Sequence, residues 1–222
     1  MVTLNGKVSI WLREINMNFK GCCRGFLSLF NYPYISKELL DGIKGPVLLH
    51  ISDTPVDIYK YIFRIIDILK PKYIIHTGDL ADNVKLEIYK DKIEYYYQGT
   101  KALIAGLEDN NSEIFYVLGN HDDYKTVSHL NRTGTILNEG PLFLNGINFY
   151  ASHYYKEHSN NADFNLFGHS LAPKHYEKDG TIWLNGLINI NIIDLSNKNV
   201  FHLDYPVGTN GSRRMELNRI GL

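Results

Sequence analysis

The sequence predicts an α/β fold: two β-sheets packed face to face as a sandwich core flanked by helices, in a single domain with an N-terminal extension. Three observations predict it. Between residues 47 and 118, short apolar runs alternate with stretches of helical spacing, the pattern of strand–helix units that build a largely parallel sheet. Beyond residue 140 that spacing gives way to two-residue hairpin signals and short strands. A Gly42-Ile43-Lys44-Gly45-Pro46 loop separates the start of the chain from this body. The expected boundaries are 1–44 for the extension, 45–208 for the domain and 209–222 for a mixed tail with no assignable element.

Taken in order, residues 47–52 form an apolar run bounded by loop signals, which reads as a buried strand. Val56, Tyr59, Ile62, Phe63, Ile66 and Leu69 then recur at helical spacing until Lys70-Pro71, where proline ends the pattern. A second strand is expected over 73–77. After it comes a long amphipathic helix with Leu86, Tyr89, Ile93, Tyr96, Tyr97, Leu103, Ile104 and Leu107 on one face and Asp82 as its N-cap. Residues 114–118 are the third strand. In the second half, Asn145-Gly146 joins strands over 142–144 and 147–151, and Asp179-Gly180 precedes a strand over 181–184; both dipeptides suit a tight hairpin turn. Strands over 188–195 and 200–204 complete the set. In the first of these, isoleucines alternate with Asn189 and Asn191 as in a half-buried strand.

Charged residues make up 21% of the chain and the formal net charge is −1, which excludes a global basic field drawing it onto nucleic acid or an anionic membrane. An anionic substrate must be held locally. Tyr95-Tyr96-Tyr97 resembles a base-stacking platform, but tyrosines on a helix that covers a sheet serve packing, so nucleic acid has no support as a partner. Cys22 and Cys23 are adjacent, and neighbours rarely close a relaxed disulfide, so a reducing compartment fits. No segment approaches the ~20 apolar residues of a membrane span, and the start lacks the layout of a secretory signal; the cytoplasm is the expected location. Residues 22–30 read as burial on the domain surface rather than as a lipidated membrane contact. The extension's aromatics, Trp11, Phe19, Phe26, Phe30, Tyr32 and Tyr34, are too many to leave in water. They either pack on the domain or form an oligomer or partner contact.

Each strand ends in a cluster of metal-competent side chains. The first ends His50-Ile51-Ser52-Asp53, the second His76-Thr77-Gly78-Asp79 and the third Gly119-Asn120-His121-Asp122; later strands end at Ser152-His153 and Gly168-His169-Ser170-Leu171. One Gly-Asp pair says little, but five motifs in order at strand ends say much. The ordered set Asp53, Gly78-Asp79, Gly119-Asn120-His121-Asp122, His153 and Gly168-His169 resembles the signature of the calcineurin-like metallophosphoesterases, over residues 47–171.

That resemblance implies two divalent cations about 3.5–4 Å apart, clamping a phosphoryl group and a nucleophilic water. It makes Asp79 the bridging carboxylate, with Asn120, His153 and His169 completing one site suited to Mn, Fe, Zn or similar ions. His121 then protonates the leaving oxygen or stabilises the phosphate charge, and Asp122 orients its ring. The family usually places histidines where this chain has Pro55 and Leu171, and both losses fall on the first metal. That site keeps Asp53 and Asp79, so the resemblance implies one strong site and one weak or substrate-dependent one. Asp53 is then free to orient the attacking water. His175 replaces Leu171 only if its loop bends back, since four strand residues span about 13 Å. His50 and His76 read as core or supporting residues, and His129, His158 and His202 as surface or hairpin residues. The expected activity is hydrolysis of a phosphomono- or phosphodiester by a metal-bound water, on a small phosphorylated molecule or diester. The alternative is an inactive scaffold or binding protein that keeps the fold.

Overall fold

The computed structural model describes residues 32–157 and 161–214. In chain order the first half forms α1 (Lys37–Gly42), β1 (Val47–Ile51), α2 (Tyr59–Leu69), β2 (Tyr73–His76), α3 (Ile93–Glu108), β3 (Glu113–Val117), α4 (Tyr124–Leu130) and β4 (Thr135–Leu137). The second half forms β5 (Gly140–Leu144), β6 (Ile147–Ala151), β7 (Phe164–Phe167), β8 (Tyr176–Lys178), β9 (Thr181–Asn185), β10 (Asn189–Asp194), β11 (Val200–Asp204) and the single turn α5 (Thr209–Ser212).

The strands make two mixed sheets, one ordered β11-β10-β1-β2-β3-β4 and the other β5-β6-β7-β9-β8. In the first, β1 to β4 run parallel, as the strand–helix alternation requires, and β10 joins β1 antiparallel. In the second, the two hairpins flank β7, which pairs parallel with both β6 and β9. Both expected turns form with both residues at positive φ: Asn145 at 52° with Gly146 at 81°, and Asp179 at 52° with Gly180 at 77°. These left-handed pairs match the strand twist of a two-residue hairpin, and asparagine, aspartate and glycine tolerate them best.

Two apolar layers hold the sheets in place. Leu49, Ile51, Ile74, Ile190 and Ile192 on one face of the first sheet meet Ile62 and Ile66 of α2 and Leu103, Ile104 and Leu107 of α3. On its other face Leu48, Ile75, Val117 and Ile193 meet Phe149, Ala151, Phe164 and Leu184 of the second sheet. The first sheet is therefore the middle layer, buried on both sides, and its strands are nearly continuous apolar runs for that reason. The described end of the extension joins the helix side, where Ile35, Leu39 and Ile43 pack on the core. Trp11, Phe19, Cys22, Cys23, Phe26 and Phe30, together with His158 and residues 215–222, lie outside the described residues.

Three expectations are corrected. The long helix begins at Ile93, not near Asp82, because Lys85 sits at φ 53, a left-handed value that ends any right-handed helix. Leu86 is buried from the intervening loop, so a helical recurrence of apolar residues is met without a helix. Asp82 accordingly caps nothing; its N–H donates to the Thr54 carbonyl at 3.2 Å. And β10 is not half-buried: Asn191 is fully enclosed, donating to His50 Nδ1 and accepting from His202 Nδ1. The edge strand β4 and the short α4 were not anticipated at all, and α4 is capped by Asp123, which accepts from Thr126 N at 2.8 Å.

Candidate metal centre

The carboxyl ends of β1, β2 and β3 meet those of β6 and β7, and the backbone ties them before any side chain acts. Asp53 N donates to the Gly78 carbonyl at 2.9 Å and Thr54 N to the Asp79 carbonyl at 3.0 Å. Gly78 (φ 102) and Gly119 come so close that a Cβ on Gly78 would overlap His153 Nδ1 and one on Gly119 would overlap Asp79 Oδ1. Glycine is demanded at both positions by close approach and at Gly78 by torsion as well.

His153 shows what the site is arranged for. Its Nδ1 lies 2.7 Å from the Thr77 carbonyl, which only accepts, so Nδ1 carries the proton and the neutral ring presents a bare lone pair at Nε2. That lone pair faces Asn120 Oδ1 at 3.0 Å, His169 Nδ1 at 3.2 Å and Asp79 Oδ2 at 3.6 Å. The Asn120 oxygen is fixed in this direction because its Nδ2 donates to Glu87 Oε2 at 2.5 Å. Three ligand-capable atoms from three other chain segments thus gather at that lone pair. Donors held about 2.0–2.2 Å from an ion stand ~3.0–3.5 Å apart, so the set fits a divalent cation, and the Thr77 carbonyl behind His153 is the outer partner such a ligand takes.

Asp53 (φ 51) accepts at Oδ2 from Ser52 Oγ at 2.5 Å and His169 N at 3.0 Å. Among the described residues its Oδ1 has no donor. Asp79 Oδ1 takes His121 N at 2.9 Å. His121 is buried, and its Nδ1 accepts from Glu87 N at 3.3 Å. Asp122 does not engage that ring: its carboxylate accepts from Asp79 N, Leu80 N, Gly119 N and Tyr96 Oη, stitching the second and third loops together.

A family model described as calcineurin-like phosphoesterase matches residues 46–213. The chain belongs to that family. In general terms it is a metal-dependent phosphoesterase, a hydrolase of phosphate esters in a family that uses divalent metal ions. Its fold is similar to that of a structure described as a novel archaeal phosphodiesterase, at 18% identity and TM-score 0.52, over 71% of this chain and 99% of that one. The phosphoesterase Yfce from E. coli aligns at 10% identity and TM-score 0.48, over 72% of this chain and 99% of that one. No curated protein matches the sequence.

In this phosphoesterase the acidic groups crowd one small space. Burial, and then Asp53, push the Asp79 carboxyl well above the usual range, against the His121 N–H that favours its ionised form. Burial holds His169 below its ordinary value and His121 down to about 4, with Lys85 adding to the second shift and Glu87 opposing it. Neutral imidazoles are what metal ligation requires. Asp82, Lys85 and Glu87 line this site and Arg213 braces it, none of them assigned to it from sequence, where Asp82 reads only as a helix cap. Ligand-capable atoms of Asp79, Asp82 and His121 lie within 4.8 Å of one another. Arg213 is buried and donates to the carbonyls of Asp53 at 2.7 Å and Leu187 at 2.8 Å, clamping the first loop from the far end of the chain. The Asp82–Lys85 spacing directly after Gly78-Asp79 was the available signal for two of them. His175 stays away, accepting from Asn185 N and stacking on His202 at 4.3 Å. His50 and His76 meet Thr77 Oγ1 and Thr54 Oγ1 behind the site. No helix among the described residues is long and apolar enough to cross a membrane.

Proposed function

We propose that this chain hydrolyses a phosphomono- or phosphodiester of a small molecule with one strongly held divalent ion, bound by Asp79, Asn120, His153 and His169. The observation that carries this is the His153 Nε2 lone pair facing three other donors at 3.0–3.6 Å. An ion held there supplies Lewis acidity to a phosphoryl oxygen and lowers the pKa of a coordinated water. Asp53 orients the attacking water through its free Oδ1. His121, with Nδ1 occupied by the Glu87 N–H, carries its proton on Nε2 and donates a hydrogen bond from there that stabilises the charge on the phosphoryl or leaving oxygen. Asp122 acts at one remove, holding the Asp79 and Gly119 backbones where the donors converge. Manganese suits the mixed nitrogen and oxygen set, and the cytoplasm suits a chain with no disulfide framework. Residues 1–44 act as an extension of the 45–208 domain.

The test is metal analysis of the full chain together with hydrolysis of an aryl phosphodiester in Mn²⁺. About one ion per chain is expected, lost in His153→Ala and kept in His121→Ala, with turnover lost in both. The second reading, a scaffold without catalysis, is favoured by Pro55 and Leu171 standing where the family has histidines. A wild type with no bound ion and no turnover above the His121→Ala control establishes it.

A further inference from the structure

The losses at Pro55 and Leu171 leave the first metal position with carboxylates and no nitrogen, yet the space is not without positive charge. A cavity of about 120 Å³ opens between Asp53, Asp79, Asp82, His121 and Lys85. Lys85 is only 5% exposed, and a buried lysine is uncommon unless it is paired. Its ammonium donates to Asp82 Oδ1 at 2.5 Å. An ammonium has three N–H donors, and among the described residues Asp82 is the one acceptor it has, so two donors remain for the cavity. The backbone is shaped to put it there: φ of Lys85 is 53, rare for a residue with a side chain, and its carbonyl is braced by the N–H groups of Ile88 and Tyr89, both at 3.0 Å.

Charge counting points the same way. With cations bound and all three ionised, Asp53, Asp79 and Asp82 bring three negative charges to this cavity, leaving aside the largely exposed Glu87. One divalent ion and one ammonium balance them, whereas two divalent ions with Lys85 in place overshoot by two.

We propose that the ammonium of Lys85 stands in for the second cation and binds a phosphoryl oxygen of the substrate directly, so that the phosphate is clamped between one metal ion and one lysine. This rests on the reading of Asp79, Asn120, His153 and His169 as the strong ion site. Asp82 is then the positioning residue that aims Lys85, not a metal ligand. The arrangement favours substrates whose phosphoryl group carries at least one unesterified oxygen for each cation, which both mono- and diesters have.

The experiment uses the full chain, with Mn²⁺ stoichiometry by elemental analysis and inorganic phosphate binding by calorimetry. Wild type is expected to hold about one Mn²⁺ and to bind phosphate. Lys85→Met is expected to keep that ion and to bind phosphate about 10- to 100-fold more weakly, the scale of one charge-assisted hydrogen bond. With the ammonium gone, a second Mn²⁺ is expected to enter as its concentration rises. Lys85→Gln, which retains a donor for Asp82 without the charge, reads the same quantity if the methionine variant does not fold. Unchanged phosphate affinity in either folded variant, or two Mn²⁺ ions bound to wild type, overturns the proposal; failure of both variants to fold assigns Lys85 to the scaffold and overturns it too. A wild type that holds no ion, but whose phosphate binding still falls on losing Lys85, overturns the metal reading and with it the clamp, and leaves only the contact between Lys85 and phosphate.

Discussion

Asp122→Ala removes an acceptor of hydrogen bonds from Asp79 N and Gly119 N at 2.8 Å and from Leu80 N and Tyr96 Oη at 2.9 Å. A hydrogen bond to a charged group contributes about 1.5–3 kcal/mol, so simple addition over the four gives about 6–12 kcal/mol. They share one carboxylate and are not independent, and water entering the vacated space re-satisfies some donors. A loss of roughly 3–5 kcal/mol is therefore expected, the scale for removing one member of a buried charged network. Asp122→Asn is the graded control. Its single carbonyl oxygen keeps the Asp79 and Gly119 donors if it takes the place of Oδ2, Tyr96 turns its hydroxyl to accept, and the Leu80 N–H is left facing an NH₂. One orphaned donor costs about 1–3 kcal/mol. Urea unfolding followed by tryptophan fluorescence measures both variants. Losses below about 1 kcal/mol in both, with turnover abolished, would show that the carboxylate serves His121 rather than the loops and would refute this reasoning.

Arg213→Met is expected to lower the melting temperature by about 5–15 °C, from three lost carbonyl contacts at roughly 1 kcal/mol or more each. Arg213→Lys should rescue little, since an ammonium does not reproduce the guanidinium fork that spans Ser52, Asp53 and Leu187; full rescue in a calorimetric scan would contradict that geometry. Burial lowers His76 to about 3, while the unfolded chain titrates near 6.5, so the unfolded state binds the proton that the folded state refuses. Its stability contribution is complete above about pH 6.5 and is lost as pH falls toward 3. Between pH 7 and 4.5, wild type should lose about 2–3 kcal/mol more than His76→Gln, and parallel urea-midpoint curves for the two proteins would exclude the effect.

Much of this was legible because it rests on local chemistry. Asn145-Gly146 and Asp179-Gly180 announce their hairpins through residues that tolerate positive φ, and the strand ends announce the site because ligand-bearing motifs follow apolar runs. What stayed hidden depends on distance or on ambiguity of period. Arg213 reaches Asp53 across 160 positions, and nothing near residue 213 hints at that pairing. Leu86 and Tyr89 keep a helical spacing that a loop satisfies equally well, and that misreading concealed Asp82 and Lys85 by placing them on a helix. Asn191 looked solvent-facing by alternation, since a period of two cannot distinguish water from a buried polar network with His50 and His202.

His153 and the donors around it come from both layers of the sandwich, two loops of the first sheet and two strand ends of the second. Neither sheet alone carries more than half a coordination sphere, so an ion seated there works as a rivet through the seam. Any fragment able to hold that ion must run from β1 past β7, and a break in either layer empties the centre even where the motif residues themselves are untouched.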